Sequence, residues 1–454
     1  MNLDMTKGSP LKLILKFTLP LVVGNIFQQF YNMVDAVIVG RFVGVGALAA
    51  VGATGMIIFL IFGFMSGLTT GFTVLTSQKF GAGDMEGVKK SVGSAAVLSV
   101  IITVIATLLS VFGMKWLLNI LNTPADIYQM SYDYIIIVCV GMFACVLYNM
   151  MAALLRAVGN STVPLVFLII SAVLNIFLDL LLIIVFHMGV KGAAIATVAA
   201  QGVSGLACLI YVAKKVPLLC IKKEDWKLHE NYARTQMRIG VPMALQFSIT
   251  AIGTLILQGA LNMLGSTVIA AYTAASKAEQ LLTQPFLAIG MTMATYGAQN
   301  YGVNDIKRIR QGTRISCVLT VIYAVAVAFV AVSLIDKIIG LFVTGDITEI
   351  IGYGKTYIQI VSAFFIPLGL IFIFRNVLQG MGYPMMPMLA GVMELIGRGV
   401  VATIAAHYLS FEGIAASNPA AWILADILLI PAYLYTMKKL GRKKESRQLQ
   451  ENGA

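Results

Sequence analysis

Apolar residues run along this chain in long stretches, broken by short clusters of glycine, proline and charge. A helix needs about 20 such residues to cross a bilayer. Read this way, the sequence predicts twelve spans, near 13–40, 48–76, 90–114, 131–156, 163–186, 191–213, 237–262, 267–297, 314–335, 353–379, 385–409 and 413–437. The segment "KKVPLLCIKKEDWKLHENYARTQMR", between the sixth and seventh spans, is the one stretch with soluble character. The N-terminal "MNLDMTKGSPLKLILKF" lacks a signal-peptide cleavage pattern, so no processing is expected there.

The pattern repeats at a spacing of about 222 residues. "TLPLVVGNIFQQF" (18–30) answers "GVPMALQFSITAI" (240–252), and "SQKFGAGD" (77–84) answers "AQNYGVND" (298–305). "LLRAVGNSTVP" (154–164) answers "VLQGMGYPMMP" (377–387), and "GVKGAAIATVAAQ" (189–201) answers "FEGIAASNPAAW" (411–422). Six spans per half give both halves the same orientation, a parallel repeat of the kind that places a transporter's site between its halves. The expected fold is an all-α integral membrane protein of twelve helices in two six-helix lobes. An N-terminal lobe covers 1–213, a cytoplasmic linker 214–236, a C-terminal lobe 237–437 and a basic cytoplasmic tail 438–454.

Composition agrees. Charged residues make up only 11% of the chain and hydrophobic ones 59%, whereas soluble chains carry about 25% charged. The net charge of +12 does not signal nucleic acid, because the bases gather at one set of span ends. Lys7, Lys12, Lys79, Lys89, Lys90, Arg156, the linker, Lys307, Arg308, Arg310, Arg314 and the tail share that side. The positive-inside rule then puts both termini in the cytoplasm of a multi-pass cell-membrane protein. Five cysteines form no CxxC motif and imply neither a metal framework nor disulfides.

Within this apolar background a few polar residues stand out. "NIFLDLLLIIVF" carries Asp179 with Asn175 one turn before it. Counting at 1.5 Å per residue from Arg41, His187 and Lys191 puts Asp35, Asp179 and Thr197 all roughly 9–12 Å below the outer surface. Two carboxylates, an amide and a hydroxyl at one depth form a set of hard oxygen ligands, suited to Na⁺, and paired carboxylates also suit a proton. A polar cluster that only specifies helix packing is the plainer reading, but acids inside a membrane are usually functional. The repeat supports function. Asp35 falls opposite Ile256 or Leu257, Asp179 opposite Ala402 and Asn175 opposite Arg398, so the fold unit itself does not need the acids.

The second half has its own mid-span polar residues, Glu279, Glu394, Arg398 and Asp426. Glu394 and Arg398 lie four apart on one helical face and are expected to form an ion pair, structural or substrate-binding. Glu279 and Asp426 have no partner evident from spacing. Two glycine-rich stretches, "GYGKT" and "GAGDMEG", lack the spacing and the strand–turn–helix context of nucleotide-binding loops.

The opening "LPLVVGNIFQQFYNMVDAVIVGRFVG", with "SQKFGAGD", "LLRAVGNSTVP", "NIFLDLLLI" and "GVKGAAIATVAAQ", resembles the multidrug and toxic compound extrusion (MATE) transporters over essentially the whole chain. The resemblance implies two lobes around a central cavity and export of amphipathic, often cationic compounds driven by inward Na⁺ or H⁺. It also implies a first-lobe cation site at Asp35, Asn175, Asp179 and Thr197, and a bending proline at Pro20, which could equally be a helix-start residue. The seventh span here carries only Gln246 and Gln258 and the tenth only Arg375, so a second-lobe coupling acid of the family type is missing and Glu279 or Glu394 would have to substitute. No cofactor is expected beyond the coupling ion, with H⁺ favoured over Na⁺ and both competing for the same carboxylates. The expected partners are small amphipathic substrates and the lipid bilayer, without nucleic acid, and a monomer is expected. The alternative function is a flippase for lipid-linked saccharides of related repeat architecture, for which Arg375 and Arg398 would supply cationic groups. No HExxH or GxSxG stands in any span, so enzyme activity is not expected.

Overall fold

The structure is a computed structural model and describes residues 3–222, 224–340 and 348–452. The end of the basic tail, 453–454, lies outside the described residues. Every regular element among the described residues is helical. The first half comprises α1 (Pro10–Phe42), α2 (Val45–Gly81), α3 (Met85–Ile120), α4 (Ala125–Val140), α5 (Met142–Ala157), α6 (Thr162–Asp179) and α7 (Gly189–Lys215). The second comprises α8 (Glu230–Asn262), α9 (Ser266–Gly302), α10 (Ile306–Gly340), α11 (Thr348–Ser362), α12 (Phe365–Gly380), α13 (Met385–His407) and α14 (Phe411–Asn452).

Two expected spans are bent pairs. α4 and α5 meet at 49° and α11 and α12 at 50°. Nine helices among the described residues are long and apolar enough to cross a membrane, eleven if each bent pair counts as one. The remaining expected span, 267–297, is the continuous helix α9, which carries Lys277, Glu279, Gln280 and Gln284 and so falls short on composition. Phe112 and Trp116 on α3 and Phe329 on α10 are 82%, 68% and 76% exposed. Such a density of bare aromatic and aliphatic surface is stable in lipid and not in water.

The chain packs into two compact units. One is Leu19–Ser248 with the start of the chain up to Asp4, and the other is Met5–Thr18 with the chain from Ile249 onward. α1 therefore passes from one unit to the other next to Pro20, and α8 does so at Ser248, six residues after Pro242. The sequence halves and the packed units are different divisions of the chain. In the first unit α2 packs on α3, α4 and α5, and α7 on α4, α5 and α6. Its core joins Met65, Leu68, Phe72, Val92, Met142 and Leu154. Gly71 lets the backbone of α2 approach that of α8 at Gly240, where any added Cβ would collide. In the second unit α9 packs on α10, α11 and α12, and α14 on α11, α12 and α13.

The repeat is visible in backbone geometry. Left-handed residues recur in register: Gly44 with Gly265, Gly83 with Asn304, Gly159 with Gly382 and His187 with Leu409. Asp84 Oδ1 accepts from Gly87 N at 2.8 Å to start α3, and Asp305 Oδ1 accepts from Arg308 N at 3.0 Å to start α10. One feature breaks the symmetry. After Asp179 the chain runs as a π-helix over Leu180–Val185, whereas α13 continues as an α-helix through the matching stretch. Inserted π turns cost regular hydrogen bonding and concentrate at functional positions.

Asp84 also makes the fold acid-sensitive in a defined direction. The Lys79 ammonium, 2.7 Å away, and then the Gly87 N–H hold its carboxyl below the usual carboxylate range. A depressed folded pKa adds stability above the unfolded-state value, and that stability is lost as pH falls through the folded one. Asp84→Ala is expected to cost about 1 kcal/mol at neutral pH as a lost N-cap. Thermal unfolding should show the difference from wild type shrinking toward pH 3; a difference independent of pH would refute the assignment.

Candidate functional site

The acid cluster assembles within the first unit. α1 carries Asp35, α6 ends on Asp179 with Asn175 one turn earlier, and α7 supplies Thr197. Asn175 and Asp179 are 1% and 0% exposed, in a wall otherwise built of Ile38, Val39, Ile183 and Ala194. The Asn175 amide donates to Thr197 Oγ1 at 3.4 Å. The Asp35 and Asp179 carboxyls lie within hydrogen-bonding reach of each other. Two bare carboxylates cannot donate to each other, and a shared proton or a small cation between them would satisfy both.

The cluster is under-satisfied. Asp35 Oδ1, Asn175 Oδ1 and both Asp179 oxygens are buried without an N–H or O–H donor from the described residues. A buried oxygen with no donor is expensive. Four of them converging from two helices form a set of acceptors suited to a proton or a small hard cation. All four residues singled out from sequence are therefore brought together.

Two tyrosines at the cluster were not anticipated. Tyr31 lies one turn before Asp35, bonds Thr197 and feels the charge of both acids, and Tyr134 on α4 feels both as well. Tyr31 was within reach of the sequence, since positions i and i+4 share a helix face. Tyr134 was not, because a tyrosine in a hydrophobic run looks like core.

The second-unit residues Glu279, Glu394, Arg398 and Asp426 are linked electrostatically through Arg375 and Arg398, but with other partners than expected. Among the described residues the ion pair anticipated between Glu394 and Arg398 is absent; Glu394 instead bonds Arg375 of α12. Spacing on one helix shows which pairs can meet, but a guanidinium from a neighbouring helix reaches Glu394 first. Arg398 turns to Asn418, its Nε donating to Oδ1 at 2.9 Å. Glu279 gains a partner that sequence did not name, the Tyr357 hydroxyl at 2.6 Å. Asp426 is 7% exposed, close enough to Arg375 to feel its charge, and its Oδ1 has no donor among the described residues. Pro20 lies ten residues inside α1, which rules out the helix-start reading. An interior proline removes one backbone hydrogen bond and favours bending.

Repeat, buried polar clusters and lipid-compatible surface together define a polytopic membrane transporter. The MatE family model matches residues 20–181 and again 242–404, once in each half, and the chain belongs to that family of integral membrane transporters. It is 27% identical over 434 residues to the probable multidrug resistance protein YoeA of Bacillus subtilis (strain 168), covering 93% of each chain. It is 24% identical to the probable multidrug resistance protein NorM of Thermotoga maritima, over 92% of this chain and 89% of the relative. A solved structure described as the outward-facing conformation of a multidrug resistance MATE family transporter of the MOP superfamily superposes with a TM-score of 0.90, at 21% identity, over 96% of this chain and 98% of its own. A second, described as MATE in the bent conformation, gives 0.89 at 21% identity over 97% and 98%. The relatives are transporters, not enzymes, as expected from sequence.

Proposed function

We propose that the chain exports amphipathic, often cationic compounds across the cytoplasmic membrane in exchange for H⁺ or Na⁺, with both termini in the cytoplasm. The observation that carries this reading is the set of unsatisfied buried oxygens on Asp35, Asn175 and Asp179. A proton shared by the carboxyls would satisfy Asp35 and Asp179. A Na⁺ ion would use Asn175 and Thr197 as well. The names of the relatives, which speak of multidrug resistance, support the substrate class.

Antiport requires only that cation and compound favour different conformations. One charge crossing 100 mV supplies about 2.3 kcal/mol and a tenfold ion gradient about 1.4 more, enough to hold a neutral compound at a gradient on the order of a few hundredfold. Pro20, beside the point where α1 leaves one unit for the other, is our candidate for the bending position. The flippase reading is weakened, because Arg375 is engaged by Glu394 and Arg398 lies within reach of the Glu279 charge.

The test is uptake of a fluorescent cationic dye into everted membrane vesicles, with an acidic lumen or a Na⁺-loaded lumen imposed separately. Accumulation under at least one gradient, larger under the acidic lumen, is expected. Absence of accumulation under both would overturn the export reading.

A further inference from the structure

The linker after α7 packs onto α3, within the first unit. Val88, Val92 and Ala95 of α3 join Val216, Leu219 and Ala233 in one buried cluster. The Asp225 carbonyl rests on Gly93, where any Cβ would collide with it. Asp225 Oδ2 in turn accepts from the Lys222 backbone N–H at 2.8 Å, which closes a tight turn. Covered in this way, α3 is buried at every residue over 91–95, and it is bare at Val100 and Ile101, 39% and 45% exposed.

What this packing leaves outside is amphipathic. Trp226 and Leu228, beside the Gly93 contact, are 52% and 51% exposed. Their depth is set by α3, which carries a second bare tryptophan, Trp116, toward its other end. From Gly93 to Trp116 the helix rises about 34 Å, close to the roughly 30 Å thickness of the hydrocarbon core. One exposed indole therefore stands at each edge of that core, where indoles collect. α7 agrees. Leu206 and Ile210, 53% and 55% exposed, form a lipid-compatible stripe that ends one turn later on Lys214. Lys215, Lys222 and Lys227 are exposed as well, and none of the four lysines holds a carboxylate among the described residues. Of the acids nearby, Asp225 is turned into its own loop, and Glu224 and Glu230 are exposed.

We propose that this face of the first unit is a binding site for anionic phospholipid, on the side of the membrane proposed above to be cytoplasmic. Trp226 and Leu228 enter the bilayer at the boundary between headgroups and acyl chains. Lys214, Lys215, Lys222 and Lys227 gather phosphodiester headgroups that carry a net negative charge. The attraction of a lysine for a charged leaflet falls off within a Debye length, so it counts only for bases held at the surface. The Gly93 contact and the buried indole edge hold them there. A zwitterionic headgroup offers the same phosphate but cancels its charge with an ammonium, so it is bound less. Depth decides for lipid over a soluble anion, because the two bare apolar side chains lie level with the membrane edge. The site is independent of the export reading.

The tryptophans of the chain are Trp116, Trp226 and Trp422, so Trp116→Phe with Trp422→Phe leaves Trp226 as the one indole of the full-length protein. In phosphatidylcholine liposomes, phosphatidylglycerol or phosphatidylcholine brominated near the headgroup end of its chains is added at equal mole fraction. Both lipids are expected to quench Trp226, the phosphatidylglycerol at least about twofold more strongly, because the lysines enrich it locally. Changing the four lysines to glutamine should equalise the two lipids without abolishing quenching. Equal quenching before that change would overturn the proposal, since the face would then read only the bilayer. No quenching by either lipid would place Trp226 in water and overturn it too. An excess that survives in the glutamine variant would take the lysines out of the site. An excess removed by inorganic phosphate at constant ionic strength would assign them to a soluble anion, and both results contradict the proposal. If the single-tryptophan chain does not fold, thermal unfolding carries the same test. Phosphatidylglycerol should raise the Tm of the otherwise unchanged protein more than that of the glutamine variant, and equal rises would overturn the site.

Discussion

Replacing Glu394 by glutamine is expected to destabilise the protein by about 3–5 kcal/mol, the cost of leaving a buried charge without its partner. Glu394 and Arg375 are 7% and 8% exposed and meet as an ion pair between α13 and α12. Glutamine keeps the shape and an acceptor oxygen but removes the charge that offsets the guanidinium. Asp426, near enough to feel Arg375, compensates only in part. Arg375→Met alone should be similarly harmful, since it strands Glu394. The double variant Arg375→Met with Glu394→Leu removes both charges and should lie closer to wild type than either single change. Thermal unfolding of the three variants in detergent checks this. Single variants as stable as wild type would mean that the pair does not hold the unit together.

Asp179→Asn should abolish efflux while the protein still inserts and folds. The substitution is close to isosteric in the wall of Ile38, Val39 and Ile183. What it removes is the ability to bind a proton or offer a charge to a cation. The amide also brings two N–H donors, which Asp35 and Asn175 Oδ1 can accept, so the variant is expected to match or slightly exceed wild type in stability. A membrane acid retained for packing would behave oppositely, with stability lost and transport kept in proportion to the folded fraction. Resistance of cells to a cationic dye, compared at equal expression, measures the effect. Wild-type resistance from the variant would remove Asp179 from the coupling role.

The acid cluster was legible in the sequence because depth can be counted along a regular helix. Asp35, Asp179 and Thr197 had to meet at one level if their helices were neighbours, and they are neighbours. The repeat was legible for the same reason that it is visible in the backbone. Left-handed turn positions constrain residue type, and those turns recur in register. Other features were not accessible. The breaks at Gly141 and after Ser362 fall inside apolar runs that read as single spans. Gly141 was the one hint, since a side chain there would strike Val198 of α7. The π turn after Asp179 has no residue signature at all. Helical spacing also misled at Glu394, because Arg375 and Arg398 are equally long and inter-helix packing, which spacing along one helix does not show, decides which of them meets it.

The central claim is that one acid cluster in the first unit couples ion entry to export. Dye movement in proteoliposomes, under a pure Na⁺ gradient and a pure pH gradient, tests it directly when wild type is compared with Asp179→Asn. The account expects both ions to drive wild type, H⁺ more strongly, and both responses to vanish together in the variant. Survival of either response at full size in Asp179→Asn would contradict it, because that ion would then be entering by another site.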